Sequence, residues 1–182
     1  DRTRLRPLPT GQLQPPQALV FGLAGAALGI AVLRGVHPLA GLIGATILAS
    51  YVALYTPMKR HTTLCTVVGA VPGALPPVLG WAAAAGYLNV EAWAVFAILF
   101  LWQLPHFLAI AWLHREDYAR AGFAMLPVVD PDGASTARQM VLYGLALVVA
   151  SLIPSVLGMA GPVYFFGALA AGAWFFGMAV AA

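Results

Sequence analysis

Two adjacent carboxylates, Glu116 and Asp117, lie in the segment HREDY, residues 114–118, and two arginines, Arg115 and Arg120, flank them. A carboxylate pair with few other protein ligands suits Mg²⁺, which keeps several waters and often completes its coordination with substrate phosphates. The same residues also fit ordinary charge pairing at a membrane surface. The spacing therefore makes Glu116 and Asp117 candidate metal ligands and leaves both interpretations open.

Several basic residues are candidates for phosphate binding, because guanidinium groups match phosphate oxygens in a bidentate way. They are Arg2, Arg4, Arg6, Lys59, Arg60 and Arg120. Membrane topology by itself also requires a basic face, so a phosphate site is one of two explanations for these residues. The basic runs are short and contain no aromatic residues, which argues against binding to nucleic acid.

His106 is the only ionisable residue well inside an apolar segment. Such residues usually face a cavity or a partner, although a neutral imidazole bonded to a backbone carbonyl is the ordinary alternative. On a continuous helix, His106 and Asp117 would lie about 20° apart around the axis and about 16 Å apart along it. One helix face is therefore predicted to carry an acidic mouth and a deep polar contact.

Three aromatic residues of the same region, Trp102, Trp112 and Tyr118, have π faces that can shelter a cation. Anchoring at the membrane interface is the alternative role for such residues. The segment DPDG, residues 130–133, resembles a metal loop but has Pro at the second and Gly at the fourth position of a turn. We predict a turn there and leave it out of the site.

Membrane spans must position these residues. Hydrophobic residues make up 62% of the 182-residue chain and charged residues 8%, whereas soluble domains have roughly 25% charged residues. Apolar stretches near the length that crosses a bilayer occur at 17–33, 39–56, 63–83, 92–112, 139–157 and 163–182. Pro105 is expected to kink its helix, and the Gly- and Pro-rich stretch 69–77 to make a kinked or discontinuous span. The predicted fold class is an all-α polytopic transmembrane bundle.

The charged residues lie almost entirely on one predicted side of the membrane. With alternating spans, that side carries eight of the nine basic residues and five of the six acidic ones. The positive-inside rule makes it cytoplasmic, and one lysine against eight arginines hints at a GC-rich bacterial gene. We therefore expect a bacterial plasma membrane protein with a functional mouth on the cytoplasmic side. A solvated loop that happens to collect charge is the alternative.

Three motifs of this chain resemble the UbiA-type intramembrane prenyltransferases, and most closely the branch that farnesylates haem. The motifs are RTRLRPLPTGQ, YTPMKRHTTLCTVVGAVPGALPPVLGW and WQLPHFLAIAWLHREDYARAGFAMLPV. The resemblance covers essentially all of the chain. It implies a bundle of about nine spans around a central cavity that opens to lipid. Residues 1–182 are then expected to be a single domain, truncated at both ends, that supplies six of those spans and lacks the first Asp-rich motif of the family.

The resemblance also implies a reaction. A farnesyl group would pass from farnesyl diphosphate to a vinyl group of haem B, with water completing the product, haem O, and diphosphate leaving. Mg²⁺ bound with the diphosphate is the implied cofactor, and haem B is a substrate. The expected partners are farnesyl diphosphate, haem B, the lipid bilayer and a downstream haem A synthase, with no nucleic acid.

The family motifs also assign roles to residues of this chain. Glu116 and Asp117 match the second acidic motif and are implied to hold the Mg²⁺-diphosphate. The implied diphosphate contacts are Lys59, Arg60, Arg120, Arg2 and Arg6. His106 matches the PHF motif and is expected to meet the acceptor haem, and Tyr118 to contact substrate. Many family members have a DxxxD second motif, whereas HREDYARAG has no acid four residues after either carboxylate.

Three other functions remain open from the sequence. The first is a prenyltransferase of the same type with another aromatic or tetrapyrrole acceptor. The second is a membrane transporter, with a broken helix at 69–77 and a polar contact at His106. The third is a structural subunit of a respiratory complex.

Overall fold

A computed structural model of the chain describes residues 4–181. All regular structure in this range is helical, and six helices are long and apolar enough to cross a membrane. In chain order the helices are α1 (Pro15–Val36), α2 (Pro38–Met58), α3 (Cys65–Ala85), α4 (Val90–Leu113), α5 (Arg115–Arg120), α6 (Leu126–Val129), α7 (Ala134–Val156) and α8 (Pro162–Ala181). The predicted all-α polytopic bundle is confirmed, and its spans fall where the sequence places them.

The largest difference in span boundaries is at α7, which begins at Ala134, before the predicted 139. Asp130 is the reason: its carboxylate accepts hydrogen bonds from the backbone N–H of Thr136 at 2.7 Å and from the Thr136 hydroxyl at 2.8 Å. A carboxylate that caps a free N–H allows the helix to start within a polar segment. The predicted turn is present, because the N–H of Gly133 donates to the Asp130 carbonyl at 3.1 Å.

We expect Asp130→Ala to lower the apparent Tm by about 3–6 °C, because it leaves two donors of Thr136 unpaired in a buried place. The hydrogen bonds from Thr136 hold the pKa of Asp130 below its ordinary value. Its stabilising effect is therefore present above the ordinary Asp pKa and is lost as pH falls through the lowered folded-state pKa. Thermal unfolding in detergent measures both effects.

The control for this prediction is Glu116→Gln, since Glu116 is an exposed acid in a different helix, α5. The difference in Tm between the unsubstituted protein and Asp130→Asn should shrink at acidic pH, whereas Glu116→Gln should leave the Tm nearly unchanged. A constant difference for Asp130→Asn would contradict the role of its ionised form.

The six spans pack mainly on their neighbours along the chain. Span α1 packs on α2, α2 packs on α3, and α3 packs on α4. Span α4 then packs on α7, and α7 packs on α8. Buried alanines dominate these interfaces, as at Ala70, Ala74 and Ala111, because small residues let helix backbones approach closely. The outer span α1 has no buried residue, so its apolar surface is left for lipid or for other helices.

Two spans have irregular hydrogen bonding. In α2, residues Ser50–Tyr55 form a π-helical segment, in which the N–H of Thr56 donates to the carbonyl of Tyr51, five residues back. In α3, Pro72, Pro76 and Pro77 lie within one continuous helix. The predicted alternative of a discontinuous span at 69–77 is therefore wrong. The broken helix that favoured a transporter does not occur in this segment. Each proline still removes one backbone donor from the helix.

The helix of the PHF motif ends at Leu113, although it passes through Pro105 without interruption. His114 has φ −114° and ψ 23°, which is not helical, and the separate helix α5 begins at Arg115. The prediction that one continuous helix face carries His106 and Asp117 is therefore wrong, because the turn at His114 resets the register.

The loops that follow α2 and α4 meet at the same end of the bundle. The N–H of Ala124 donates to the carbonyl of Lys59 at 2.8 Å. The short helix α6 packs against α4, and α5 packs against α6. The charged segments around Lys59 and Asp117 are thus held on one side of the spans.

Candidate functional site

A cavity of about 460 Å³ lies between α2, α3, α4 and the loop after α4. Much of its wall is apolar or aromatic, including Phe107, Phe123 and Met125. Its polar lining residues are Tyr51, Tyr55, Lys59, Thr66, Gln103 and Tyr118. This main cavity therefore combines an apolar interior with hydroxyl, amide and ammonium groups, as ligand sites commonly do.

The π-helical segment of α2 contributes two aromatic residues to the main cavity. Tyr51 and Tyr55 both line it, and their ring centroids are 5.1 Å apart. Tyr55 lies directly on Gly69 of α3, where an added Cβ would stand 2.6 Å from the ring. Gly69 is thus required for the close approach of α2 and α3.

Lys59 lies one turn beyond Tyr55, where α2 ends. Its ammonium nitrogen is 4.6 Å from the ring centroid of Tyr55 and 5.8 Å from that of Phe123. Within residues 4–181 it has no carboxylate at ion-pair distance. Aromatic faces hold the ammonium by cation–π attraction, so a cation is placed at the cavity with its charge available to an anionic ligand.

Gln103 lies deep in the same cavity and is 6% exposed. Its amide nitrogen donates to the carbonyl of Leu99 at 3.1 Å and to that of Ala70 on α3 at 3.4 Å. Its carbonyl oxygen lies against Gly73, where no side chain would fit. Gln103 therefore links α3 to α4 and brings a polar group to the apolar end of the cavity.

The carboxylates of α5 line a second, more open cavity of about 430 Å³. Glu116 and Asp117 lie in the first turn of α5, and Arg120 lies one turn later. Arg120 forms an ion pair with Asp117, and this hydrogen bond holds the pKa of Asp117 below its ordinary value. Arg115 lies over the ring of Trp112, 4.5 Å from its centroid. In this acidic cavity, the ion pair with Arg120 therefore favours the ionised form of Asp117.

The structure divides the predicted site residues among several places. Lys59 and Tyr118 line the main cavity. Glu116, Asp117 and Arg120 line the acidic cavity. Because Tyr118 follows Asp117 in the same short helix, α5 forms part of the wall of both cavities. The structure thus brings the basic and acidic candidates to neighbouring cavities.

His106, Arg6 and Arg60 line neither cavity. His106 is partly buried and stacks on Trp102, with 4.8 Å between ring centroids. Arg6 and Arg60 are exposed. Arg2 lies outside the described residues. Their predicted roles stay predictions. The ring centroid of His106 lies 5.7 Å from that of Phe107, which lines the main cavity.

The donor set of the acidic cavity fits a magnesium ion that is shared with a phosphate ligand. No group of three or more His, Cys, Asp or Glu side chains occurs together in the part of the chain that the structure describes. Glu116 and Asp117 offer two carboxylates beside open space. Mg²⁺ is commonly held by one or two carboxylates, with waters and phosphate oxygens completing the octahedron.

The sequence reasoning missed Gln103 and Thr66, both of which line the main cavity. A signal was present for Gln103, because an amide in the middle of an apolar span requires a polar partner. Tyr51 and Tyr55 were also missed, although an i, i+4 pair of tyrosines at the end of a span can mark one face. Thr66 offers no sequence signal, since threonines commonly satisfy themselves on their own helix.

Comparison with known proteins extends these observations. Residues 1–182 match the UbiA prenyltransferase family. The chain is 60% identical over 175 residues to a protein of Solibacter usitatus named protoheme IX farnesyltransferase, covering 96% of this chain and 60% of the relative. Proteins of the same name from Sorangium cellulosum and Koribacter versatilis are each 46% identical, over 99% and 96% of this chain.

The chain spans about 60% of the length of the relatives it matches. No solved structure matches it. The family match nevertheless extends over every span and both cavities described above. The predicted resemblance is therefore confirmed, and this chain belongs to the UbiA prenyltransferase family.

Proposed function

We propose that the protein transfers a farnesyl group from farnesyl diphosphate to a vinyl group of haem B. The observation that carries this proposal is the ammonium of Lys59 at an aromatic, largely apolar cavity, next to a carboxylate-lined cavity. An allylic diphosphate likewise has a charged part and an apolar part, because its head is anionic and its long tail is apolar. The names of the relatives, protoheme IX farnesyltransferase, support the same reaction.

The main cavity is the proposed site of the farnesyl chain. Breaking the bond between C1 and oxygen leaves positive charge on the allyl group and negative charge on the diphosphate. The rings of Tyr55 and Phe123 line this cavity, and aromatic faces stabilise a cation. Lys59 would bind the diphosphate, where a preorganised donor in a site with little water lowers the barrier to departure.

The acidic cavity is the proposed site of Mg²⁺ with the diphosphate, held by Glu116 and Asp117. The bound ion would neutralise charge that grows on the leaving group. Arg120 lowers the pKa of Asp117 and so favours its ionised form, which is the form that binds a cation. Arg60, Arg6 and Arg2 are proposed as outer contacts of the diphosphate, on the resemblance alone.

The acceptor is proposed to approach along the Trp102 and His106 face of α4. These two rings are stacked, with 14° between their planes, and a flat macrocycle can stack on such a surface. Phe107 joins this face to the main cavity. A haem vinyl group that passes Phe107 would enter the main cavity, where the farnesyl chain is proposed to lie, and His106 is the proposed acceptor contact.

We further propose that the charged end of the bundle faces the cytoplasm of a bacterial plasma membrane. The positive-inside rule supports this orientation, because the loops at that end carry nearly all basic residues of the chain. Haem O made there would pass to a downstream haem A synthase, which is the further partner that we propose.

The test of function is to identify the product by mass spectrometry. The protein is expressed from its complete gene in bacterial membranes and supplied with haem B, farnesyl diphosphate and Mg²⁺. We expect hydroxyethylfarnesyl haem, dependent on both substrates and abolished by a chelator. A farnesylated product with a different aromatic acceptor, and none with haem, would show that the acceptor is not haem. No prenyl transfer to any acceptor would overturn the proposal.

A further inference from the structure

A small cavity of about 90 Å³ lies beside the main cavity. It is bounded by the start of α3, by α4, by α6 and by the first turns of α7. Its polar lining residues are Thr63, Thr66, Gln139 and Tyr143. Thr66 is also a lining residue of the main cavity, so its side chain stands in the wall that separates the two spaces.

The Thr66 hydroxyl is buried and has no hydrogen-bond partner of acceptable geometry within the described residues. The residue is 7% exposed. The thiol of Cys65 approaches it, but a thiol is a weak donor and acceptor. A buried hydroxyl without a partner costs free energy, and water commonly satisfies such groups where polar space is available. The small cavity offers such space, with room for about three waters.

We propose that the small cavity holds the water that completes the transfer reaction, and that Thr66 positions it. This inference rests on the proposed function, because that reaction adds a hydroxyl group in an otherwise apolar site. The side chains of Phe107, Phe123 and Met125 give the main cavity an apolar wall that disfavours bulk water. Thr66, which lines both cavities, would bring a water from the small cavity to the reacting carbon.

The bond between farnesyl C1 and oxygen breaks, and its electron pair leaves on diphosphate. The outer vinyl carbon of haem B forms a bond to C1 with its π electrons, which leaves positive charge on the inner vinyl carbon. The oxygen of the positioned water forms a bond to that carbon. The water then loses a proton, which passes through the remaining waters of the small cavity to solvent. No oxidant or reductant is required.

The cation on the inner vinyl carbon can also react by losing a proton. If no water is positioned, the same cation loses a proton from the adjacent carbon and becomes an alkene, which is lighter than the alcohol by one water. The ratio of alkene to alcohol therefore reports on the water site. It does not depend on how much folded protein each membrane preparation contains.

The decisive variant is Thr66→Val, which keeps the shape of the side chain and removes its hydroxyl. We expect the ratio of alkene to alcohol to rise about tenfold, because the reacting water loses a hydrogen bond that orients it. Thr66→Ser should restore the original ratio. The matched control is Thr46→Val, since Thr46 is exposed on α2 and its hydroxyl donates to the Leu42 carbonyl at 2.9 Å.

Gln139→Leu is the second variant, because Gln139 lines the small cavity and lies outside the lining of the main one. It should raise the same ratio, and it decides the question if Thr66→Val makes no product. An unchanged ratio in an active variant would overturn the water site alone. If the unsubstituted protein makes no farnesylated haem of either kind, the proposed function fails and this inference fails with it.

Discussion

Lys59→Met is expected to lower the rate of farnesyl transfer by about 10²–10³-fold, the effect of removing one preorganised donor from a developing anion. The ammonium of Lys59 is held between the rings of Tyr55 and Phe123. Methionine keeps most of the aliphatic stem and removes the charge, so packing against these rings is largely retained. Initial rates of haem product in membranes, normalised to protein amount, measure the effect.

Two companion variants make the Lys59 result specific. Lys59→Arg keeps a cation but has a larger head group, so we expect a loss smaller than that of Lys59→Met. Arg138→Gln removes a cation from an exposed position on α7 that lines none of the described cavities, and its rate should be unchanged. Equal rates for Lys59→Met and the unsubstituted protein would show that the diphosphate binds elsewhere.

Asp117→Asn is expected to lower the rate of transfer by about 10²-fold and to raise the Mg²⁺ concentration needed for half-maximal rate, since the ion loses a charged ligand. Added Mg²⁺ should recover part of the lost activity. Rates measured over a Mg²⁺ titration test both statements. Asp132→Asn, which removes an exposed acid of the turn before α7, should keep the Mg²⁺ requirement of the unsubstituted protein.

Arg120→Gln separates a metal ligand from a structural ion pair. If the pair with Arg120 were the only role of Asp117, the two variants would share one phenotype. In the proposed site they differ. Because Arg120 lowers the pKa of Asp117, its removal should raise that pKa toward the ordinary Asp value. The acid limb of the pH–rate profile would then move to higher pH, with the Mg²⁺ requirement near neutral pH largely kept. Matching profiles for the two variants would contradict metal binding.

The spans were predictable because bilayer thickness and the cost of exposed backbone in lipid fix both the length and the helical state of an apolar segment. The start of α7 was not predictable, because residues 134–138 include Ser135, Thr136 and Arg138 and the helix begins there on account of a cap from Asp130. Hydropathy detects the part of a helix that lies in lipid. It does not detect the turns that extend beyond it.

The site was predictable only in part. The residue types of Lys59, Glu116 and Asp117 were enough to identify them as candidate site residues. Their division between two cavities depends on the turn at His114. That turn contains neither proline nor glycine, so the sequence does not mark it. A helix continued at a fixed angle per residue therefore runs through it without a break. Gln103 and Thr66 could be assigned to the site only with knowledge of which helices pack together, because the cavity that they line is formed between neighbouring spans.

The π-helical segment of α2 lets that helix absorb a change in its length. A π turn takes about one residue more than an α turn, so loss of one residue from 50–55 would restore ordinary α-helical winding. Positions after the segment, Lys59 among them, would then keep nearly their present direction. A deletion in the regular part of α2 would instead rotate every later position by about 100° and turn Lys59 away from the main cavity. In surviving descendants of this gene, a one-residue difference in the length of α2 should therefore fall within 50–55.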